Sequence, residues 1–145
     1  MEWVVEFYED FELEFDEFDV EVKRELLARL IRLQERGPEL KRPYVDTLNG
    51  SNYPNMKELR FDAADGVWRI AFAFNPKRRA ILLVGGDKSG VSQDHFYAQL
   101  IKKADKRFKK HLLDLEKEAI NENNSERNVA KSTSRRASKS TRKSR

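Results

Sequence analysis

Three β-patterned stretches joined by very short connections constrain this chain more than any other feature. Residues 56–61, 67–74 and 79–84 are separated only by Asp62-Ala63-Ala64-Asp65-Gly66 and by Asn75-Pro76-Lys77-Arg78. Connections this short cannot cross over a sheet, so the three stretches predict an antiparallel meander. Side chains alternate between the two faces of a strand. In 67–74, Trp68, Ile70, Phe72 and Phe74 therefore share one face, which has to be core. Arg69, Ala71 and Ala73 share the other. In 56–61, Leu59 and Phe61 point to the core, while Met56, Glu58 and Arg60 point away. A slip of one residue would put the whole apolar set in water, so the register is well determined. This parity predicts a buried Trp68 and an exposed Arg69. It also sets Arg60 and Arg69 side by side on an open face that Ala71 and Ala73 leave concave.

The rest of the chain supplies elements to cover that sheet. Residues 3–8 are aromatic and β-branched and read as a first strand. The acidic segment 10–16 carries Phe11, Leu13 and Phe15, and its period fits a short helix without requiring one. Residues 20–36 predict an amphipathic helix. Asp19 caps it, Val22, Leu26, Leu27, Leu30, Ile31 and Leu33 recur at helical spacing, and Gly37-Pro38 stops it. Residues 39–54, with Pro43, Gly50 and Pro54, read as a loop with a turn near Leu48. Gly85-Gly86 ends the third strand. Ser92 caps a last long helix whose apolar stripe runs Phe96, Leu100, Ala104, Phe108, Leu112, Leu115. The order predicts an α+β domain, a small twisted antiparallel sheet with helices on one face and the other face free as a groove.

The 145 residues suit one domain and an appendage. The expected division is a domain over 1–117 and a disordered basic tail over 118–145. From Ile120 onward there are eight Lys/Arg and two Asp/Glu, a net +6. The whole chain is +4, so residues 1–119 carry −2. The basic character belongs to the tail, where it suits nonspecific nucleic-acid binding. Its Asn-, Ser- and Lys-rich composition has too little apolar surface to offset ordering entropy. There are no cysteines, which excludes disulfides and thiolate metal sites. No apolar run reaches membrane-spanning length, and the start lacks a signal-peptide pattern, so the cytoplasm is the expected compartment.

Two motifs are set aside. Gly85-Gly86-Asp87-Lys88-Ser89 has an acid where a phosphate loop needs glycine. His95 and His111 lie roughly 24 Å apart along one helix and cannot share a metal. Arg60 and Arg69, with Lys88 just beyond the third strand, suit a phosphodiester. Guanidinium groups fork onto phosphate oxygens and stabilise the extra charge of a pentacovalent transition state. Arginines on a strand face more often just solvate a sheet, and Glu58 on that face can pair with either one.

Several runs carry a family resemblance: Lys57-Glu58-Leu59-Arg60, Gly66-Val67-Trp68-Arg69-Ile70-Ala71-Phe72, Ile81-Leu82-Leu83-Val84-Gly85-Gly86-Asp87-Lys88, and the helix Phe96-Tyr97 through Arg107-Phe108. In order and spacing this resembles the RelE/HigB superfamily, most closely its phage-derived HigB-like branch. The resemblance implies a prophage-type toxin of a toxin–antitoxin pair, an endoribonuclease that cuts mRNA, commonly on the ribosome. It would leave a 2′,3′-cyclic phosphate and a 5′-OH, with no metal or cofactor. The implied partner is a helix-turn-helix antitoxin. Arg60 matches the arginine ending the family's Leu-Arg strand, and Arg69 the arginine of its Gly-aromatic-Arg strand. Lys88 falls where a basic residue follows the last strand, and Tyr97 near a C-terminal catalytic or base-stacking tyrosine. Some relatives carry lysine where Glu58 stands, which makes Glu58 the candidate base. Lys57, Lys77, Arg78, Arg79 and His95 are the further expected RNA contacts. The competing reading is a non-catalytic nucleic-acid or protein binding module of the same fold.

Overall fold

The computed structural model describes residues 2–139, with side chains through Ser125. The elements are β1 (Val4–Phe7), α1 (Glu9–Asp16), α2 (Val20–Arg36), β2 (Val45–Thr47), β3 (Lys57–Ala63), β4 (Gly66–Phe74), β5 (Arg79–Asp87) and α3 (Gln93–Lys139). They form one five-stranded sheet of order β1-β5-β4-β3-β2. The β3–β4 hairpin turns through Ala64 and Asp65, both left-handed at φ 49° and 61°. Two such residues match the twist of the flanking strands. The expected parity holds: Leu59 pairs Ile70, Arg60 pairs Arg69 and Phe61 pairs Trp68.

The sheet departs from expectation in three ways. It is mixed, because β1 pairs parallel to β5, which the two intervening helices make possible. The segment read as loop contains β2, three residues antiparallel to β3 with a buried Val45 opposite Leu59. Pairing with β3 supplies the order that its Pro- and Gly-containing surroundings do not suggest. Gly85 and Gly86 do not end β5; both lie inside it, and the strand runs to Asp87. A Cβ on Gly85 would stand 2.5 Å from Ile70 Cδ1, and one on Gly86 would stand 3.0 Å from Phe96. These glycines let neighbouring layers approach closely.

One face carries the expected core. Phe11, Val22, Leu26, Leu30 and Leu33 from α1 and α2 bury Leu59, Phe61, Ile70, Phe72 and Leu82. Asp19 caps α2 by accepting the Glu21 N–H at 2.8 Å. Leu27 and Ile31, expected in the same stripe, are instead exposed. The 3.6-residue period turns them away from the direction shared by Val22, Leu26 and Leu33.

The second face is not open. Helix α3 crosses it, burying Phe96, Leu100, Ala104 and Phe108, and Met56, Ala71, Ala73, Ile81 and Val84 are buried on the sheet. Helices therefore cover both faces. This overturns the exposure expected for Arg69, which is only 5% exposed, and for Glu58, at 3%. Trp68, expected to be buried, is half-buried against Phe18, with ring centroids 4.9 Å apart.

Arg107 ties α3 to the sheet. Leu83 is the extra residue where β4–β5 pairing shifts between Ala71 and Phe72, and its carbonyl accepts from Arg107 Nη1 at 2.8 Å. The same guanidinium forks onto Glu14, at 2.9 and 2.5 Å. That bond holds the Glu14 carboxyl below its ordinary 4.5, against the opposing effect of burial. Glu14 thus stabilises the fold above its unfolded pKa, and this is lost as pH falls through the lowered folded value. Urea unfolding compared at pH about 6 and about 3 is expected to show a smaller acid loss for Glu14→Gln than for the wild type. Equal losses would mean the pair contributes nothing.

The chain divides into a compact unit, Met1–Lys109, and a second unit beginning at Lys110. Within the second unit every side chain from Glu116 to Ser125 is exposed, as the end of the apolar stripe at Leu115 predicts. The backbone nevertheless remains helical through Lys139. Of the tail expected over 118–145, residues 140–145 lie outside the described residues. Exposed helix without a packed face adds little stability. Truncation after Ala119 should leave the melting temperature nearly unchanged, and a fall of several degrees would contradict this.

Candidate active site

The β5–α3 connection is shaped by Asp87. Its carboxylate accepts the Val67 N–H at 3.0 Å and the Ser89 N–H at 2.9 Å, and it also accepts the Ser89 hydroxyl. Burial opposes ionisation, but the Ser89 and Val67 hydrogen bonds together hold this carboxyl below the ordinary aspartate range. Gly66 makes the room, since a Cβ there would lie 2.6 Å from Asp87 Oδ2. Lys88 N–H then donates to the Val67 carbonyl at 2.8 Å. Lys88 is thereby fixed at the end of β4 rather than left on a flexible Gly-Gly segment.

Helix α3 begins with Ser92, whose hydroxyl accepts the His95 N–H at 3.3 Å and whose carbonyl accepts Phe96 N–H at 3.0 Å. Phe96 seats on Gly86, and the next residue, Tyr97, is thereby set over β4. Its hydroxyl accepts from Arg69 Nε at 3.3 Å. On β3, Arg60 Nη1 donates to Glu58 Oε2 at 2.6 Å. Glu58 Oε1 is buried and has no hydrogen-bond partner among the described residues.

These groups meet in a cleft of about 370 Å³ lined by Glu58, Arg60, Lys88 and Tyr97. Arg42, Asp46, Thr47, Leu48 and Asn49 from β2 and its flanks and Gln93 from α3 complete it. Burial raises the Tyr97 phenol above the ordinary tyrosine range, the Glu58 carboxylate raises it further, and Arg69 opposes both. Tyr97 consequently stays protonated at neutral pH and is a proton donor. Beside the Arg42–Asp46 pair, the cleft unites two further cations, a carboxylate with a free acceptor atom and a protonated phenol. That set can bind an anionic ester, take a proton from one oxygen and give one to another.

Four of the five residues read from sequence as catalytic line this cleft; Arg69 lies behind it. Of the further RNA contacts, Lys57 lies beside the cleft, in a neighbouring hollow that shares Arg42, Asp46 and Thr47. Lys77, Arg78 and Arg79 sit at the β4–β5 turn, the other end of β4. There Arg79 pairs with Glu6 at 2.8 Å and Arg78 lies over the Trp3 ring at 4.7 Å. They are not brought to the cleft. His95 is exposed on a separate groove with Val84, Gly86 and Phe96.

Sequence reasoning missed the wall formed by β2 and its flanks. Arg42 donates to Asp46 from Nε at 2.9 Å and from Nη2 at 2.8 Å. Behind Asn49, the loop is tied to α3 by Asp105, which accepts the Ser51 hydroxyl at 2.5 Å and the Asn52 N–H at 2.9 Å. Asp105 is one of many acids on a charged helix, and no local pattern marks it out.

The fold and cleft define a RelE-type α+β domain. The structure matches that of a mutant of the E. coli toxin RelE in the free state with a TM-score of 0.55, at 16% identity, over 74% of this chain and 98% of that one. Residues 13–109 match the model of the phage-derived Gp49-like proteins, and the chain belongs to that family. It is 42% identical over 99 residues to the candidate toxin HigB2 of Mycobacterium tuberculosis, covering 68% of this chain and 49% of that protein. It is 57% identical over 58 residues to the candidate toxin HigB3 of the same organism, covering 40% and 49%. The chain thus spans about half the length of the curated relatives it matches. The resemblance to the phage-derived branch of the RelE/HigB superfamily is borne out.

Proposed function

We propose that this protein is the toxin of a toxin–antitoxin pair and acts as an endoribonuclease on mRNA, on the ribosome, in the cytoplasm. The observation that carries the reading is the convergence of Glu58, Arg60, Lys88 and Tyr97 on one cleft. Its kinship to HigB-type proteins supports it. Arg60 and Lys88 bind the scissile phosphate and stabilise the charge that builds on its oxygens. Glu58 Oε1, which has no donor among the described residues, accepts the proton of the ribose 2′-OH. The 2′-oxygen attacks phosphorus, the bond to the 5′-oxygen breaks, and Tyr97 gives that oxygen its proton. The products are a 2′,3′-cyclic phosphate and a 5′-OH. All four roles fall to side chains, and no cofactor enters the scheme. A helix-turn-helix antitoxin is the proposed partner, and the basic tail adds nonspecific, salt-sensitive affinity for RNA.

The test is expression of the full chain with and without the product of the adjacent gene, together with cleavage of mRNA on purified ribosomes in EDTA. Growth arrest relieved by the neighbour, and fragments ending in cyclic phosphate, are expected. If the chain binds RNA yet neither arrests growth nor cuts mRNA, the non-catalytic binding module replaces the nuclease.

A further inference from the structure

We infer that Arg69 is a positioning residue that acts through Tyr97, holding its hydroxyl in the cleft, rather than a group that touches the substrate phosphate. The kinetic consequence rests on the ribonuclease reading above; the geometry stands on the fold alone. Arg60 and Arg69 are register partners on neighbouring strands, yet only Arg60 lines the cleft. Arg69 is 5% exposed, beneath the first turns of α3. Its Nη1 donates to the carbonyl of Trp68 at 2.8 Å, which turns the guanidinium along its own strand. Its Nε donates to Tyr97 Oη at 3.3 Å.

A guanidinium is a planar fork of donors in fixed directions. With Nη1 held by a backbone carbonyl, the direction of Nε is set by the strand. Tyr97 therefore receives its hydrogen bond from one defined side, which limits the directions left to its own proton. Glu58 is gripped at Oε2 by Arg60. Arg69 thus fixes Tyr97 and Arg60 fixes Glu58, two groups that line one cleft. Glu58 Oε1 is left without a donor among the described residues. The charge of Arg69 also opposes the rise that burial and Glu58 impose on the Tyr97 phenol, which keeps it a competent proton donor.

The experiment uses the full chain with tyrosine ζ-carbons labelled with ¹³C, the Tyr97 signal being identified through Tyr97→Phe. Arg69→Met keeps an unbranched side chain of similar reach but removes donor and charge. It is expected to move the Tyr97 titration to higher pH while the melting profile stays cooperative. An unmoved Tyr97 titration overturns the inference. In ribosome-bound mRNA cleavage, Arg69→Met and Tyr97→Phe should each lower kcat by about 10²-fold with KM unchanged. The double variant should be no slower than the slower single one, because both remove the same interaction. Effects that multiply show that Arg69 meets the substrate on its own account, and the inference fails. If the wild type cuts no RNA, the ribonuclease reading falls instead, and the titration alone decides the role of Arg69.

Discussion

Glu58→Gln is expected to lower mRNA cleavage by about 10²- to 10⁴-fold, the usual contribution of a positioned general base. The substitution keeps shape and burial. An amide oxygen can still accept from Arg60, whose bond to Glu58 Oε2 is 2.6 Å, so the fold should tolerate it. What is lost is the capacity of the buried, unpartnered Oε1 to take a proton. Arg60→Ala is a less clean probe. It removes a phosphate contact, which alone is worth roughly 10²- to 10³-fold, but it also leaves a buried carboxylate without its cation, which is destabilising. The two variants therefore separate in a melting experiment: Glu58→Gln should unfold close to the wild type and Arg60→Ala at lower temperature. Both should relieve growth arrest. A Glu58→Gln protein that cleaves as fast as the wild type assigns the base to another group and leaves Glu58 a structural partner of Arg60.

Legibility in the sequence followed the range of the interactions. The β3–β4–β5 meander is written locally, in alternation and in turns a few residues long, and the β3–β4 parity came out as read, while the bulge at Leu83 between β4 and β5 did not. The cap at Asp19 and the stop at Gly37 are local as well. What failed was anything decided by a third element. Alternation places Glu58, Arg60 and Arg69 on one face, but it cannot say whether that face meets water or another helix. The packing of Phe96 on Gly86 decides it, by drawing α3 across the sheet. For the same reason Gly85-Gly86 read as a terminator when it is a close contact inside β5. β2 was illegible because its three residues have no pattern of their own and exist through pairing with β3. The candidate site was thus half readable: residue types and strand positions could be named, while the division between Arg60 in the cleft and Arg69 behind it could not.

Helix α2 offers the matching lesson on stability, and the prediction it yields needs no functional assumption. Six apolar residues of α2 recur at helical spacing, yet only Val22, Leu26, Leu30 and Leu33 are buried, while Leu27 is 48% exposed. Phe72, on the core face of β4, is fully buried in the same cluster as Leu26, Leu30, Leu59 and Leu82. Phe72→Ala removes a ring from a site enclosed on the strand side by pairing and on the other by α2, so the void cannot collapse easily. The expected loss is about 3–5 kcal/mol in chemical unfolding, a large share of the stability of a domain of this size. Leu27→Ala removes a side chain already half in water, and alanine is the better helix former; it should cost under about 1 kcal/mol. The contrast tests the register directly. Had β4 been shifted by one residue, Phe72 would face α3 and Ala71 would face α2. A small loss for Phe72→Ala alongside a large one for Leu27→Ala would mean that the core lies on the other side of both elements.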